Sequence, residues 1–374
     1  MTGHTVQFHL NFIRTLGFIL VLTPNIVVYA QNESFTTTES SARKPVRIYR
    51  TPEERREAGL GKQVTEWLKI GGVVDVEKEY RRNNSVARRD TSEDPDPELA
   101  LELGFEIQYD EWFEAEVLFA IEENGRRHYQ ELDEGLIGID LADFGVKLGQ
   151  LYVPFGAYYS HFVTGPLLEF GQTRGTALQL DYTLWDSLEL AGYLFDSKAD
   201  MQKNKNEIDW GLNLEYKSED ESMVLGAGYL SDLAESQDEL LLDFKNRYLR
   251  RVPALNAYAR LGMPPFELTA EVLKAIQRFK EFEKNANKPF SYNVELAYFP
   301  VDFLQFAVRL ESSREVADEP KWQYGVAGTW RPLDNLSISI DYLHGRYKKG
   351  FAFDDRDNAL HSHHMIGTQL TVGF

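Results

Sequence analysis

Three histidines fall within four residues at His361, His363 and His364. On an extended strand His361 and His363 share a face, and two imidazoles at that spacing are candidate ligands for a transition metal. The preceding segment holds Asp354, Asp355 and Asp357, an oxygen-rich set suited to a divalent cation that would bridge lipopolysaccharide. There is no cysteine, so a thiolate metal site and a disulfide framework are both excluded. No G-x-S-x-G, P-loop, H-E-x-x-H or post-strand G-x-G-x-x-G occurs, and no spacing singles out a His/Ser/Asp set. The chain therefore reads as a non-enzyme without a cofactor. A formal net charge of −19 argues against nucleic acid as a partner.

A second kind of chemistry is distributed. Glu102, Glu106, Glu114, Glu116, Asp140, Asp181, Asp209, Glu215, Glu267, Glu271, Glu295 and Asp341 each sit between apolar residues at alternating positions. Lys147, Arg260 and Arg309 are their sparser basic counterparts. Charged side chains repeated on one face of many strands can line a pore and set its ion preference. This set favours cations or neutral solutes, unless crowding of the carboxylates raises their pKa values and reduces the charge.

Those residues need strands to position them. Leu99, Leu101, Leu103, Phe105, Ile107 and Tyr109 alternate with polar residues, as do Phe113, Ala115, Val117, Phe119 and Ile121. The same period of two runs through Ile208–Tyr216, Tyr292–Tyr298 and Leu336–Tyr342. Sixteen strand-like segments can be counted between residues 64 and 374, and long connectors alternate with short ones. Long outer loops, tight periplasmic turns and an even strand count describe a single-chain transmembrane β-barrel. Its apolar strand faces would meet lipid, because a soluble sandwich does not expose so many. Trp112, Phe144, Trp185, Phe266, Phe299, Phe303 and Trp330 crowd the short-turn side as an expected aromatic girdle. The fold class is thus all-β, an antiparallel porin-like barrel wide enough for an aqueous channel.

Both ends of the chain suggest an outer-membrane destination. Residues 1–30 carry one basic residue, Arg14, then an apolar run from Leu16 and a small-residue site near Ala30, the pattern of a secretory signal peptide. Residues 31–63 are polar and read as a largely disordered periplasmic lead, with one short helix over 52–58 and the barrel occupying 64–374. Ile366, Leu370, Val372 and Phe374 share one strand face, opposite Gly367, Gln369, Thr371 and Gly373. An amphipathic last strand ending in Phe resembles the signal read by the barrel-assembly machinery, with Gly367, Leu370, Val372 and Phe374 as its positions. Outer-membrane lipid and lipopolysaccharide are the expected surroundings. Trimers are common among sixteen-stranded porins, so a homotrimer is the oligomer to test, although no segment marks an interface.

The connector from Tyr152 to Arg174 is too apolar and aromatic for a plain solvated loop. In sixteen-stranded porins the third loop folds into the lumen. By that analogy Tyr158, Tyr159, His161, Glu169 and Arg174 would form the constriction and touch solute. The alternative is that the loop packs on the wall with its polar atoms satisfied. The string Leu148-Gly149-Gln150-Leu151-Tyr152-Val153-Pro154-Phe155-Gly156, followed by Gly165-Pro166-Leu167 and Gly171-Gln172-Thr173-Arg174, resembles the LbtU family of siderophore porins. Gly165 stands where Asp is usual and Gln172 where Glu is usual, and the family's coiled-coil lead has no clear counterpart. The resemblance covers roughly thirty residues and implies a TonB-independent channel for an iron-siderophore complex. A general cation-preferring diffusion porin and a plugged structural or adhesion barrel are the alternatives.

Overall fold

The computed structural model describes residues 62–86, 90–110, 112–123, 128–196, 200–201, 208–236, 247–282, 286–353 and 358–374. The signal-peptide stretch, the helix expected over 52–58, most of the polar lead and the Asp354–Asp357 segment lie outside the described residues. Lys62 and Gln63, expected in that lead, belong to a short strand Lys62–Thr65 that doubles back on the first barrel strand.

Sixteen strands build the barrel. They are β1 Leu68–Ser85, β2 Glu98–Tyr109, β3 Phe113–Glu123, β4 His128–Leu141, β5 Phe144–Tyr152, β6 Arg174–Leu184, β7 Leu188–Asp196 and β8 Ile208–Lys217. The second half is β9 Met223–Leu230, β10 Ala254–Met263, β11 Phe266–Ala275, β12 Phe290–Val301, β13 Leu304–Arg314, β14 Trp322–Leu333, β15 Leu336–Arg346 and β16 Leu360–Gly373. Each pairs antiparallel with its successor. β1 pairs with β16 from Val73↔Gly373 to Ser85↔Leu360, which closes the sheet on itself. Closure leaves no row of unpaired N–H and C=O groups, the condition for crossing hydrocarbon with strands. Among the described residues no helix is long and apolar enough to cross a membrane.

The period-two pattern decides which face each side chain takes. Leu212, Leu214, Val294, Leu296, Val308, Leu310, Val326 and Ile340 stand exposed on the outside. Their neighbours Asn213, Asn293, Glu295, Arg309 and Asp341 are buried inside. Exposed Trp112, Phe144, Trp185, Phe266, Phe303 and Trp330 mark the short-turn rim. Phe299 departs from the expected girdle. It follows outward-facing Tyr298, turns inward and packs beside Phe162. Two expected turns also shift. Pro300-Val301 stays in β12 and Pro332-Leu333 in β14, each with a register slip, and the chain reverses at Asp302-Phe303 and Asp334-Asn335. A bulge tolerates proline, which has no N–H for the ladder, so the strands run past it.

Candidate functional site: a loop held across the lumen

β5 ends at Tyr152 and β6 begins at Arg174. The connector between them turns inward and meets strands on the far side of the barrel. Four wall carboxylates accept its backbone amides. Glu271 on β11 accepts from Ala157 N at 3.0 Å and Tyr158 N at 2.7 Å. Glu295 on β12 accepts from His161 N at 2.7 Å, and Glu311 on β13 from Leu167 N at 2.7 Å. Asp341 on β15 accepts from Thr164 N at 2.8 Å. A non-helical segment inside a barrel must satisfy its own amides, and here the wall does so with charge-assisted bonds.

Local backbone conformation fits those bonds. Gly156 has φ +94°, and a Cβ there would meet Glu271 Oε1 at 2.6 Å and Asn256 Nδ2 at 2.7 Å. Only glycine brings the backbone this close to the wall. Tyr158 carries φ 50°, an uncommon conformation held from both sides by its bond to Glu271 and by its hydroxyl on Phe155 O at 2.6 Å. Beneath the polar contacts the loop has an apolar core. Val153, Phe155, Tyr158, Leu168 and Phe170 pack with Leu230, Leu233, Val252, Leu273 and Phe279.

Arg309 is the centre of the polar clamp. Its Nε donates to Glu295 Oε1 at 2.8 Å, its Nη1 to the carbonyls of Thr164 and Gly165 at 2.9 and 3.1 Å, and its Nη2 to Ser160 Oγ at 2.5 Å. The guanidinium lies over the Phe162 ring at 4.2 Å. His161 sits between Glu295 (Nδ1···Oε2 2.9 Å) and Glu267 (Nε2···Oε1 3.1 Å). Burial works against its charged form, but the hydrogen bonds to Glu267 and Glu295 outweigh it and raise its pKa to about 9. The imidazolium is thus the dominant form at neutral pH and fixes the loop to two strands at once.

The residues expected at the constriction separate on this frame. Tyr158 and His161 are 5% and 2% exposed, so they anchor the loop and are shielded from solvent. Tyr159 lies against Arg260, whose guanidinium is 5.2 Å from its ring centre. Glu169 lines a cavity of about 440 Å³ between the loop and the wall, with Arg81, Asp318, Glu319, Tyr347 and His363. Arg174 is turned to Glu131 and Asp133 on β4. Arg174 on β6, Arg260 on β10 and Arg309 buried on β13 thus each engage a different partner.

The expected lumen charges separate too. Glu267, Glu271, Glu295 and Asp341 are at most 7% exposed and their oxygens are taken up by the loop and its neighbours. The opposite wall keeps partly accessible charge at Glu102, Glu106, Glu114, Glu116 and Lys147. There Lys69 pairs with Glu106 at 3.0 Å and Lys147 approaches Glu114 at 3.6 Å. Asp181 accepts both bonds from Gln179.

Among the described residues, the histidine pair gains no third ligand. His361 is exposed, whereas His363 is buried with Nδ1 on Tyr347 Oη at 2.7 Å. His364 stands on the outer face, its ring 4.4 Å from that of His344. Among the described residues, three ligand-type side chains converge within 4.8 Å only at Asp209, Asp232 and Glu235. Reading the sequence alone missed Glu311, Ser160, Asn256 and Gln323 as parts of the loop's support. The inward parity of Glu311, two residues from Arg309 on one strand, was the available signal.

Comparison with known proteins fits this geometry. No family model matches the chain. The UPF0422 protein of Coxiella burnetii is 32% identical over 169 residues, which is 41% of this chain and 36% of that protein. The match thus spans little more than a third of that relative's length. Among solved structures, the anion-selective porin from Comamonas acidovorans superimposes with a TM-score of 0.60 at 8% identity, over 82% of this chain and all of that one. OmpF of Salmonella typhi, in complex with daunomycin, gives 0.56 at 14% identity, over 82% of this chain and 98% of that one. The outer-membrane channel DcaP of Acinetobacter baumannii gives 0.56 at 10% identity, over 84% and 99%. The fold is that of a bacterial outer-membrane porin. At these identities the likeness is one of architecture.

Proposed function

We propose that this chain is an outer-membrane channel for the facilitated passage of a small solute. The observation that carries the reading is the Val153–Thr173 connector, held across the lumen by Glu271, Glu295, Glu311 and Asp341. Such a loop narrows the opening to the space beside the β2–β5 wall. Solute crossing there meets Glu102, Glu106, Glu114 and Glu116 against Lys69 and Lys147, a balance that favours cations and neutral molecules.

The finer proposal is an iron-siderophore complex taken up without TonB. It rests on the LbtU-like string from Leu148 to Arg174, most of which forms this loop. The acidic wall narrows that substrate class to a ferric complex of neutral or positive charge. A cation-preferring diffusion porin without siderophore specificity is favoured by the same wall taken alone. Homotrimer formation and recognition of the last strand by the barrel-assembly machinery belong to the same proposal.

The test is single-channel current of the refolded barrel in a planar bilayer, with KCl gradients and added ferric siderophores of different charge. Cation preference with saturable block by a neutral or cationic ferric complex supports specific uptake. Open current without block leaves the diffusion porin, and a folded barrel that passes no current overturns the channel.

A further inference from the structure

Asp209 lies at the outer end of β8, and Asp232 and Glu235 lie on the short turn that follows β9. β8 and β9 are antiparallel neighbours, with Gly211 opposite Leu230, so continuing the register two residues outward brings Asp209 beside Asp232. The turn Leu233–Glu235 then folds Glu235 back over the pair. The three side chains are 0%, 0% and 4% exposed, and one ligand oxygen of each lies within 4.8 Å of the others.

The Oδ1 atoms of both aspartates are accounted for. Asp209 Oδ1 accepts from Ser231 Oγ at 2.7 Å and lies 2.6 Å from Arg251 Nε. Asp232 Oδ1 accepts from Ala234 N at 3.1 Å and Val252 N at 2.9 Å. The two Oδ2 atoms are different. Both are buried and neither has a hydrogen-bond donor. A buried carboxylate oxygen without a donor carries a desolvation penalty that needs a counter-charge or a proton. Arg251 lies beside one of the three carboxylates, and its contact is to the Oδ1 of Asp209, not to either Oδ2.

We propose that Asp209, Asp232 and Glu235 bind a hard divalent cation, of the Ca²⁺ class, at the extracellular rim. The donor set is carboxylate oxygen throughout, with no imidazole or thiolate, which selects Ca²⁺ or Mg²⁺ over zinc or copper. The ion would tie the end of the β8–β9 hairpin to the turn whose Leu233 and Ala234 pack against Phe155 and Leu168 of the lumen loop. The rim would then brace the side of the barrel on which the loop rests.

Trp210 gives the site a built-in reporter. It follows Asp209 directly, and its backbone N–H donates to Ser231 Oγ at 2.9 Å. Refolded full-length barrel is stripped with EDTA and titrated with Tb³⁺, with excitation through tryptophan. Sensitised emission should saturate at one equivalent and be displaced by Ca²⁺. Asp232→Asn and Glu235→Gln should each weaken Tb³⁺ binding at least about tenfold. Trp210→Phe should lower the emission while leaving Ca²⁺ binding by calorimetry unchanged. Ca²⁺ should also raise the melting temperature of the parent barrel but not of Glu235→Gln, which changes a turn residue and leaves the strands intact. Failure of the folded parent to bind Tb³⁺ or Ca²⁺ saturably overturns the site. So does an Asp232→Asn barrel that binds as the parent does, or one that is more stable than the Ca²⁺-saturated parent, since the site would then hold a proton.

Discussion

Arg309 and Glu295 face each other at 2.8 Å with side chains fully excluded from solvent, on neighbouring strands β13 and β12. The pair does not stand alone, because Glu295 also holds His161 and Arg309 also holds Ser160, Thr164 and Gly165. The loop is therefore fastened to an ion pair that belongs to the wall.

Removing one partner of such a pair leaves an uncompensated buried charge. Arg309→Met is expected to destabilise the barrel by about 3–5 kcal/mol. It should also release the loop, seen as larger and noisier single-channel current. Arg309→Met combined with Glu295→Gln should recover much of the lost stability, measured by denaturant unfolding in detergent. A single variant as stable as the parent would show that the pair does not hold the loop.

His161 supplies a pH dependence with a defined sign. Its folded pKa of about 9 lies above the ordinary value of 6.5. The charged form therefore adds stability that is complete below about pH 6.5 and fades as pH rises through about 9. Current noise from loop motion should increase across that window, and His161→Asn should flatten the profile. A parent barrel whose noise is level from about pH 6 to 10 contradicts the assignment.

Selectivity should follow the wall opposite the loop. Glu102→Gln with Glu116→Gln should move the reversal potential in a KCl gradient toward zero. Glu267→Gln should change it far less, since Glu267 is buried against His161. Equal shifts from both sets would mean that the path runs elsewhere.

Phe374 exchanges backbone bonds with Gly72, N to O at 2.9 Å and O to N at 3.0 Å, and its ring lies where a Gly72 side chain would be. Phe374→Ala and Gly72→Leu should both reduce the yield of heat-modifiable folded barrel in cells. An unchanged yield for Phe374→Ala would remove this residue from the assembly signal.

Strand number and facing were legible because one rule, the period of two, acts locally and repeats. Glu295 and Arg309 could be placed inside from their neighbours alone. What each would do there was not legible. Whether a lumen carboxylate faces water or a backbone amide depends on the path of a loop that starts more than a hundred residues earlier in the chain, as with Tyr158 and Glu271. Alternation puts His361 and His363 on one face and His364 on the other, but the contact of His363 with Tyr347 and of His364 with His344 depends on the neighbouring strand. Asp209 was legible as an inward carboxylate, but its pairing with Asp232 was not, because twenty-two residues and a periplasmic turn separate them and only the register across β8 and β9 brings them near each other.

The seam between β1 and β16 joins residues nearly three hundred positions apart. Pairings that do not involve β16 can form from earlier parts of the chain, but this one waits for that strand. Until it arrives, both outermost strands keep bare edges that lipid cannot satisfy and that a second nascent chain could capture. The arrival of β16 thus sets the earliest moment of insertion, and a chain cut short before Leu360 would be an open ribbon however well its first fifteen strands were formed.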